Sequence, residues 1–310
     1  MKRKPLIPCL IGPTAVGKSA VALALAQRHG WEIISADSRQ IYRHLDIGTA
    51  KPTLAERAVA PHHFIDIRDP NEIYSAGEFA REARATIAGI MSRGATPLVV
   101  GGSGLYIRAL SEGFFEPPVS NRRLQRQLKL RARREGGEAL HEELARVDKA
   151  TAARLHPHDV HRIVRALEVY YCSGKPLAEY WKNEPSRQPY EFHFTGLTMP
   201  RPQLYARIDR RVDAMLEQGL VDECKELLKM GYDPELNALQ TVGYKEVFAF
   251  LNEEISEEQM IEQIKQHTRQ YAKRQMTWFR KNPNPHWLEV AANDSSENVA
   301  QKVMGEFEKA

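Results

Sequence analysis

Cysteine is scarce in this chain of 310 residues: Cys9, Cys172 and Cys224 lie far apart and form no C-x-x-C pair. That spacing excludes a cysteine zinc site and a disulfide framework, and it suits a reducing, cytoplasmic setting. No window approaches eighteen uninterrupted apolar residues, so no membrane span is expected. The basic start Met1-Lys-Arg-Lys-Pro5 has the look of a signal peptide, but the apolar stretch behind it stops at Gly12 and reads as a first strand. The charge excess is only +4, which by itself does not indicate a polyanion partner. His62, His63, His156, His158 and His161 lack a further ligand at metal-site spacing, and Pro157 interrupts the later group, so they predict no metal centre. What is present is a hydrophobic share of 42%, enough for a substantial core in one large domain or two modest ones.

The first third alternates strand and helix. Strands are predicted at Leu6–Ile11, Glu32–Ala36, 63–67 and 97–100, with a helix over 17–29 closed by Gly30. Ser75 with Glu78 forms a capping box, and Phe79, Ala83, Ile87 and Ile90 share one face of the helix it opens. Residues 120–188 read as helical, with Asp159 able to cap a helix reaching about Cys172. Strand texture returns at Glu191–Thr198 and again at 287–290. The expected fold is therefore α/β, a phosphate-loop-type parallel sheet with helices on both faces, plus an all-helical insertion. Its domains are 1–115 with 190–310, and 116–189; Pro117-Pro118 and residues 185–189 are candidate hinges.

"GPTAVGKS" (Gly12, Pro13, Thr14, Ala15, Val16, Gly17, Lys18, Ser19) follows the first strand and opens a helix. Its glycines let backbone N–H groups turn inward, Lys18 neutralises phosphate oxygens, and the Ser19 hydroxyl suits Mg²⁺. The loop points to phosphate or diphosphate without identifying a nucleotide. Asp37, in "SADSRQIY" at the end of the second strand, would face the same crevice, as general base or metal ligand, or as an ordinary turn residue. "PLVVGGSG" places Gly101, Gly102 and Ser103 where a phosphate-loop kinase often ends in a Mg²⁺-binding Asp, which weakens an ATP-dependent kinase reading. Arg207 and Arg211 stand one turn apart and could clamp a leaving diphosphate or pair with surface carboxylates.

Basic residues also cluster. Arg122, Arg123, Arg126, Lys129, Arg131, Arg133 and Arg134 occupy one predicted helix. On the next, Val160, Ile163, Val164, Leu167 and Tyr171 form an apolar face opposite His161, Arg162 and Arg165. "SEEQ" (256–259) caps a long helix with Met260, Ile264, Tyr271, Ala272, Gln275 and Phe279 inward and Lys265, Arg269, Lys273 and Arg280 in a stripe. Each set alone reads as a solvated face; three together suggest a polyanion groove, with RNA as the partner.

"GPTAVGKS", "SADSRQIY", "GGSGLY", "HRIVRALEVYYCSGKPL", "QTVGYKE" and "RQYAKRQMTWFR" occur in this order, and together they resemble the bacterial tRNA dimethylallyltransferases, or tRNA isopentenyltransferases, over nearly the whole chain. The resemblance implies transfer of a dimethylallyl group from dimethylallyl diphosphate to N6 of the adenine just 3′ of a tRNA anticodon. It makes the phosphate loop a diphosphate grip, joined by Arg207, with Mg²⁺ on Ser19. Asp37 becomes the general base, with Ser103, Lys18 and Arg211 beside the reacting groups. The tRNA would meet Asp37, Ser38, Arg39 and Gln40; His161, Arg162, Ile163, Val164 and Arg165 of the insertion; and Gln240, Thr241, Val242, Gly243, Tyr244 and Lys245. Ser103 stands where the family more often has Thr, and His161 where it commonly has Gln. A monomer in the cytoplasm, bound to the tRNA anticodon stem-loop and to no membrane, is expected.

Overall fold

A computed structural model describes residues 4–113, 121–180, 189–281, 285–291 and 293–309. The chain divides into two compact units, Met1–Glu112 with Gln188–Ala310, and Gly113–Arg187. The first unit begins β1 (Leu6–Ile11), α1 (Lys18–His29), β2 (Glu32–Ala36), α2 (Leu54–Val59), β3 (His62–His63), α3 (Ala76–Ser92), β4 (Pro97–Gly101) and α4 (Gly104–Glu112). The second unit supplies α5 (Arg122–Glu135), α6 (Gly137–Val147), α7 (Lys149–Ala152), α8 (Val160–Ser173) and α9 (Leu177–Tyr180). The first then resumes with β5 (Glu191–Thr198), α10 (Arg201–Glu217), α11 (Leu220–Lys229), α12 (Tyr244–Leu251), α13 (Glu257–Phe279), β6 (His286–Glu289) and α14 (Ser296–Glu308). No described helix is long and apolar enough to cross a membrane.

The six strands form one parallel sheet in the order β3-β2-β4-β1-β5-β6. Side chains alternate between its faces, as the pleat requires. Ile7, Cys9 and Ile11 of β1, Ile34 and Ala36 of β2 and Val99 of β4 pack with α3, α4 and α11–α13. Leu10, Ile33, Leu98 and Val100 point the other way, toward residues of α1 and α14. Both faces are buried at β1, β2 and β4, which is why those strands read as largely apolar runs.

The register sets the position of everything that follows the strands. Ile11 of β1 and Ala36 of β2 both lie opposite Gly101 of β4, so three carboxyl ends stand in a row. Chain connections leave β1 toward β2 but leave β4 toward β5 on the opposite side, the topological reversal at which such sheets open a ligand crevice. Only glycine fits at 101, because a Cβ there would lie 2.2 Å from the Ala36 carbonyl oxygen.

The third strand is shorter than the predicted 63–67. Pairing stops after His63 because Phe64 and Asp66 adopt positive φ (67° and 57°) and leave the extended conformation. Asp66 instead bonds Lys51 (2.5 Å) and Arg57 (2.7 Å), anchoring the loop that follows Asp37. The short helix α2 escaped the sequence reading, although Thr53 and Glu56 form a capping box at its start. The last strand begins one residue earlier than expected. The hinge candidates Pro117-Pro118 and residues 185–188 lie outside the described residues.

The helical unit has its own core of Leu128, Ala132, Leu140, Leu144, Ile163, Val164, Ala166 and Leu167. Glu168 is wholly buried within it, and its carboxylate accepts from the Asn121 backbone N–H (2.6 Å), Gln125 Nε2 (2.8 Å) and Arg165 Nη1 (2.6 Å). A buried carboxylate needs such a set of donors to offset its lost hydration.

Gly101→Ala is expected to lower unfolding free energy by about 2 kcal/mol or more, because the new methyl group meets backbone that cannot yield without breaking the β2–β4 register. Urea unfolding of the variant would check this; an unchanged midpoint would mean that the strand ends are not so constrained.

Candidate active site

The loop after β1 turns back so that α1 starts at Lys18, with Gly17 at its cap and, among the described residues, no side-chain cap hydrogen bond to the first helical N–H groups. Those donors and the helix dipole make the turn a receptor for an anion. Lys18 Nζ donates to the Pro13 carbonyl (2.7 Å) across the loop. A cavity of about 640 Å³ opens there, lined by Thr14, Gly17, Lys18, Ser19, Arg207, Arg210 and Arg211 among others. Arg207 reaches the loop closely: a Cβ on Gly17 would lie 4.0 Å from its Nη1.

Lys18 and Arg211 keep some exposure because they border this cavity, but protein encloses them otherwise. Burial and, after it, the Arg211 charge pull the Lys18 pKa down to about 7, while Asp37 opposes the shift. Arg211 is likewise lowered by burial, with Asp37 in opposition. Several cations are thus held together with little water, an arrangement that favours an anion carrying more than one charge.

Asp37 sits at the end of β2 and lines this cavity as well as a second one of about 350 Å³. Thr14, Thr49, Arg211 and Tyr271 are shared by both walls, while Gln240, Thr241, Val242, Gly243 and Lys245 line the second alone. One carboxylate oxygen, Oδ1, accepts the backbone N–H of Arg39 (2.8 Å) and, at 3.4 Å, that of Gln40. Among the described residues no hydrogen bond reaches Oδ2, so the turn that holds the side chain leaves one oxygen for the cavity. The turn reading and the chemical reading of Asp37 are therefore compatible.

Ser103 is buried and spends its hydroxyl on the same loop. Its Oγ accepts from the Ser38 N–H (2.9 Å) and donates to Ser38 Oγ (3.3 Å). Burial and the nearby Asp37 charge push Tyr271 up to about 12, so it stays neutral. Gln40 accepts from Ser35 Oγ (3.1 Å) and donates to the carbonyls of Thr49 (3.3 Å) and Ala50 (3.1 Å), bracing the next turn. Arg39 donates to the Asn237 carbonyl at 2.6 Å.

Several residues marked by motif do not present side chains to a ligand. Ile163 and Val164 are core residues of the helical unit, because a helix that exposes positions 161 and 162 turns the next two inward. His161 and Arg162 are exposed, whereas Arg165 is half-buried against Glu168. Tyr244 is wholly buried, its hydroxyl donated to Glu223 (2.5 Å). The stripe on α13 is also reduced. Lys265 pairs with Asp213 (2.6 Å), and Arg269 with Asp209 (2.7 Å) and Glu262 (2.8 Å), leaving Lys273 and Arg280 as its exposed members. On α5, Arg131 pairs with Glu135 and Glu143, while Arg123, Arg126, Lys129 and Arg133 are exposed and make no ion pair among the described residues. Tyr171 is exposed rather than part of the apolar face.

Sequence reading missed Arg210, Thr49 and Ala50 in the cavity wall. It also missed Glu223, which accepts the N–H groups of Asp46 (2.9 Å), Ile47 (2.8 Å) and Gly48 (3.2 Å) and thereby joins that loop to Tyr244. Nothing local to Glu223 signals this; an acid in the first turn of a helix usually needs no explanation.

The sequence model of the IPP transferase family matches residues 40–282. The chain is 46% identical over 303 residues to a tRNA dimethylallyltransferase of Thermomicrobium roseum, covering 97% of this chain and 91% of that protein. It is 47% identical over 295 residues to that of Geobacter metallireducens, covering 95% of each. Among solved structures, a tRNA isopentenylpyrophosphate transferase of Bacillus halodurans superposes with a TM-score of 0.70 at 38% identity, over 99% of this chain and 98% of that one. A eukaryotic dimethylallyltransferase captured acting on tRNA gives 0.81 at 30% identity, over 98% of this chain and 80% of its own. On fold, site geometry and similarity together, this chain belongs to the IPP transferase family.

Proposed function

We propose that the chain transfers the dimethylallyl group of dimethylallyl diphosphate to N6 of the adenine 3′ to a tRNA anticodon, releasing diphosphate. The observation that carries this reading is Asp37 at the junction of two cavities, one built for a multiply charged anion and one lined by residues 240–245. The donor's diphosphate would occupy the phosphate loop with Lys18, Arg207 and Arg211 around it. The target base would enter from the second cavity. An exocyclic adenine amine is a weak nucleophile, since its lone pair is delocalised into the ring. Asp37 Oδ2 would orient it and accept its proton as the new N–C bond forms and the C–O bond to diphosphate breaks. The negative charge that gathers on the leaving group meets cations and N–H donors already in place, which is where most of the rate gain would arise. Unstacking the base from the anticodon loop costs roughly a few kcal/mol.

No cluster of metal-binding side chains occurs among the described residues, which suits a Mg²⁺ ion carried in largely on diphosphate oxygens. Ser19 would supply the protein ligand, and the ion would help to neutralise the leaving group. The exposed Arg123, Arg126, Lys129, Arg133, His161 and Arg162 of the helical unit would hold RNA phosphates. An ATP-dependent kinase is disfavoured, because β4 runs into Gly102 and Ser103 with no carboxylate to hold a nucleotide's metal.

Incubation with labelled dimethylallyl diphosphate and an unmodified tRNA carrying adenines after its anticodon should transfer label to RNA. Asp37→Ala should cut kcat by about a hundredfold or more, in the range of a lost general base. Full transfer by that variant would remove Asp37 from the mechanism, and ATP turnover without transfer would restore the kinase reading.

The depressed Lys18 pKa gives a second expectation. Above about pH 7 the empty site loses the Lys18 charge, whereas bound diphosphate favours the charged form. Binding at higher pH must then take up a proton, and affinity should weaken by up to about tenfold per pH unit. Titration calorimetry at about pH 8 in buffers of different ionisation enthalpy should register an uptake that disappears in Lys18→Gln. Equal uptake by both proteins would assign the proton elsewhere.

A further inference from the structure

Gln275 lies 261 residues from Thr14 in the chain, on α13, yet its side chain is buried between two of the loops that form the anion cavity. Its Oε1 accepts the Thr14 backbone N–H at 2.9 Å, and its Nε2 donates to the Gly102 carbonyl at 2.9 Å. The partners dictate the amide's orientation, since an N–H can only donate and a carbonyl can only accept. Gly102 is shaped to the contact: a Cβ there would lie 2.3 Å from Gln275 Nε2. Ser103, next to Gly102 in the chain, accepts the Ser38 N–H of the loop after β2 at 2.9 Å. Gln275 of α13 therefore ties the loops after β1 and β4 together, and Ser103 joins the loop after β2 to them.

From this geometry, and resting on the prenyl-transfer reading, we infer that Gln275 is a positioning residue for the donor. It fixes the Thr14 end of the phosphate loop before ligand arrives, so that the N–H groups farther along already face the diphosphate. A donor array set in advance loses nothing to reorganisation on binding. The influence falls on diphosphate affinity more than on the proton transfer, because Gln275 lines the anion cavity and not the second one.

Gln275→Met keeps much of the volume and removes both hydrogen bonds. The Kd for inorganic diphosphate and the KM for dimethylallyl diphosphate should each rise by about tenfold, the loss expected of a buried amide's bonds. The tRNA KM should stay within about twofold, since Gln275 itself does not line the second cavity, although Thr14 borders both. An unchanged diphosphate Kd in the folded variant, or an equal rise in both KM values, would overturn the assignment. Gln275→Glu supplies a second measurement should the first variant not fold. A neutral carboxyl can accept from Thr14 and donate to Gly102, as the amide does, but a carboxylate cannot donate. A carboxylate keeps the Thr14 bond and loses the Gly102 bond, so the diphosphate Kd of this variant should rise above that of the wild type; an unchanged Kd would also overturn the assignment. Diphosphate binding is read without turnover, so a wild-type chain that binds diphosphate but prenylates no tRNA would refute the functional reading alone.

Discussion

The parallel register of β1, β2 and β4 is the constraint on which the site depends. With Ile11, Gly101 and Ala36 side by side, the chain must leave all three strands at one edge of the sheet. The phosphate loop, Asp37 and the Gly102-Ser103 turn then converge without any contact of their own being needed to bring them together. The hydrogen bonds between them refine an arrangement that strand pairing has already made. Gly101 is where the constraint is tightest, since β2 and β4 approach there too closely for any side chain.

Charge is sorted along α10 in a way that serves the cavity. Asp209 and Asp213 pair with Arg269 and Lys265 of α13, and those ion pairs close the seam between the two helices. Arg207, Arg210 and Arg211 are left to line the anion cavity with Lys18. Burying these cations away from water is unfavourable, as the depressed Lys18 and Arg211 pKa values register, and at Lys18 the Arg211 charge adds repulsion. A bound polyanion, such as the proposed diphosphate, would relieve that strain, so the repulsion that burdens the free site would favour the bound one.

Much of this was legible in the chain. The glycine-flanked loop, the alternating strands and the capping boxes at Ser75 and Ser256 are local patterns, and each forms as its residues require. Motif segments were less reliable as contact lists. Ile163, Val164 and Tyr244 lie within such segments but are buried, because a motif mixes residues that touch a ligand with those that hold the former in place. The basic stripe of α13 was overcounted for a related reason. Periodicity shows which side of a helix is charged, but the acids that neutralise Lys265 and Arg269 include residues of another helix.

What the sequence determined by itself was chemistry bound to short-range geometry: a phosphate loop, an acid at a strand end, and glycines where an acid would serve a nucleotide. Tertiary structure alone decided the long-range pairings, such as Gln275 with Thr14 and Gly102, or Glu223 with the turn at 46–48. The physical reason is that a side-chain amide or carboxylate is chemically the same wherever it occurs. Its partner is chosen by which backbone groups the fold leaves unpaired beside it, and that depends on the packing of helices far apart in the chain.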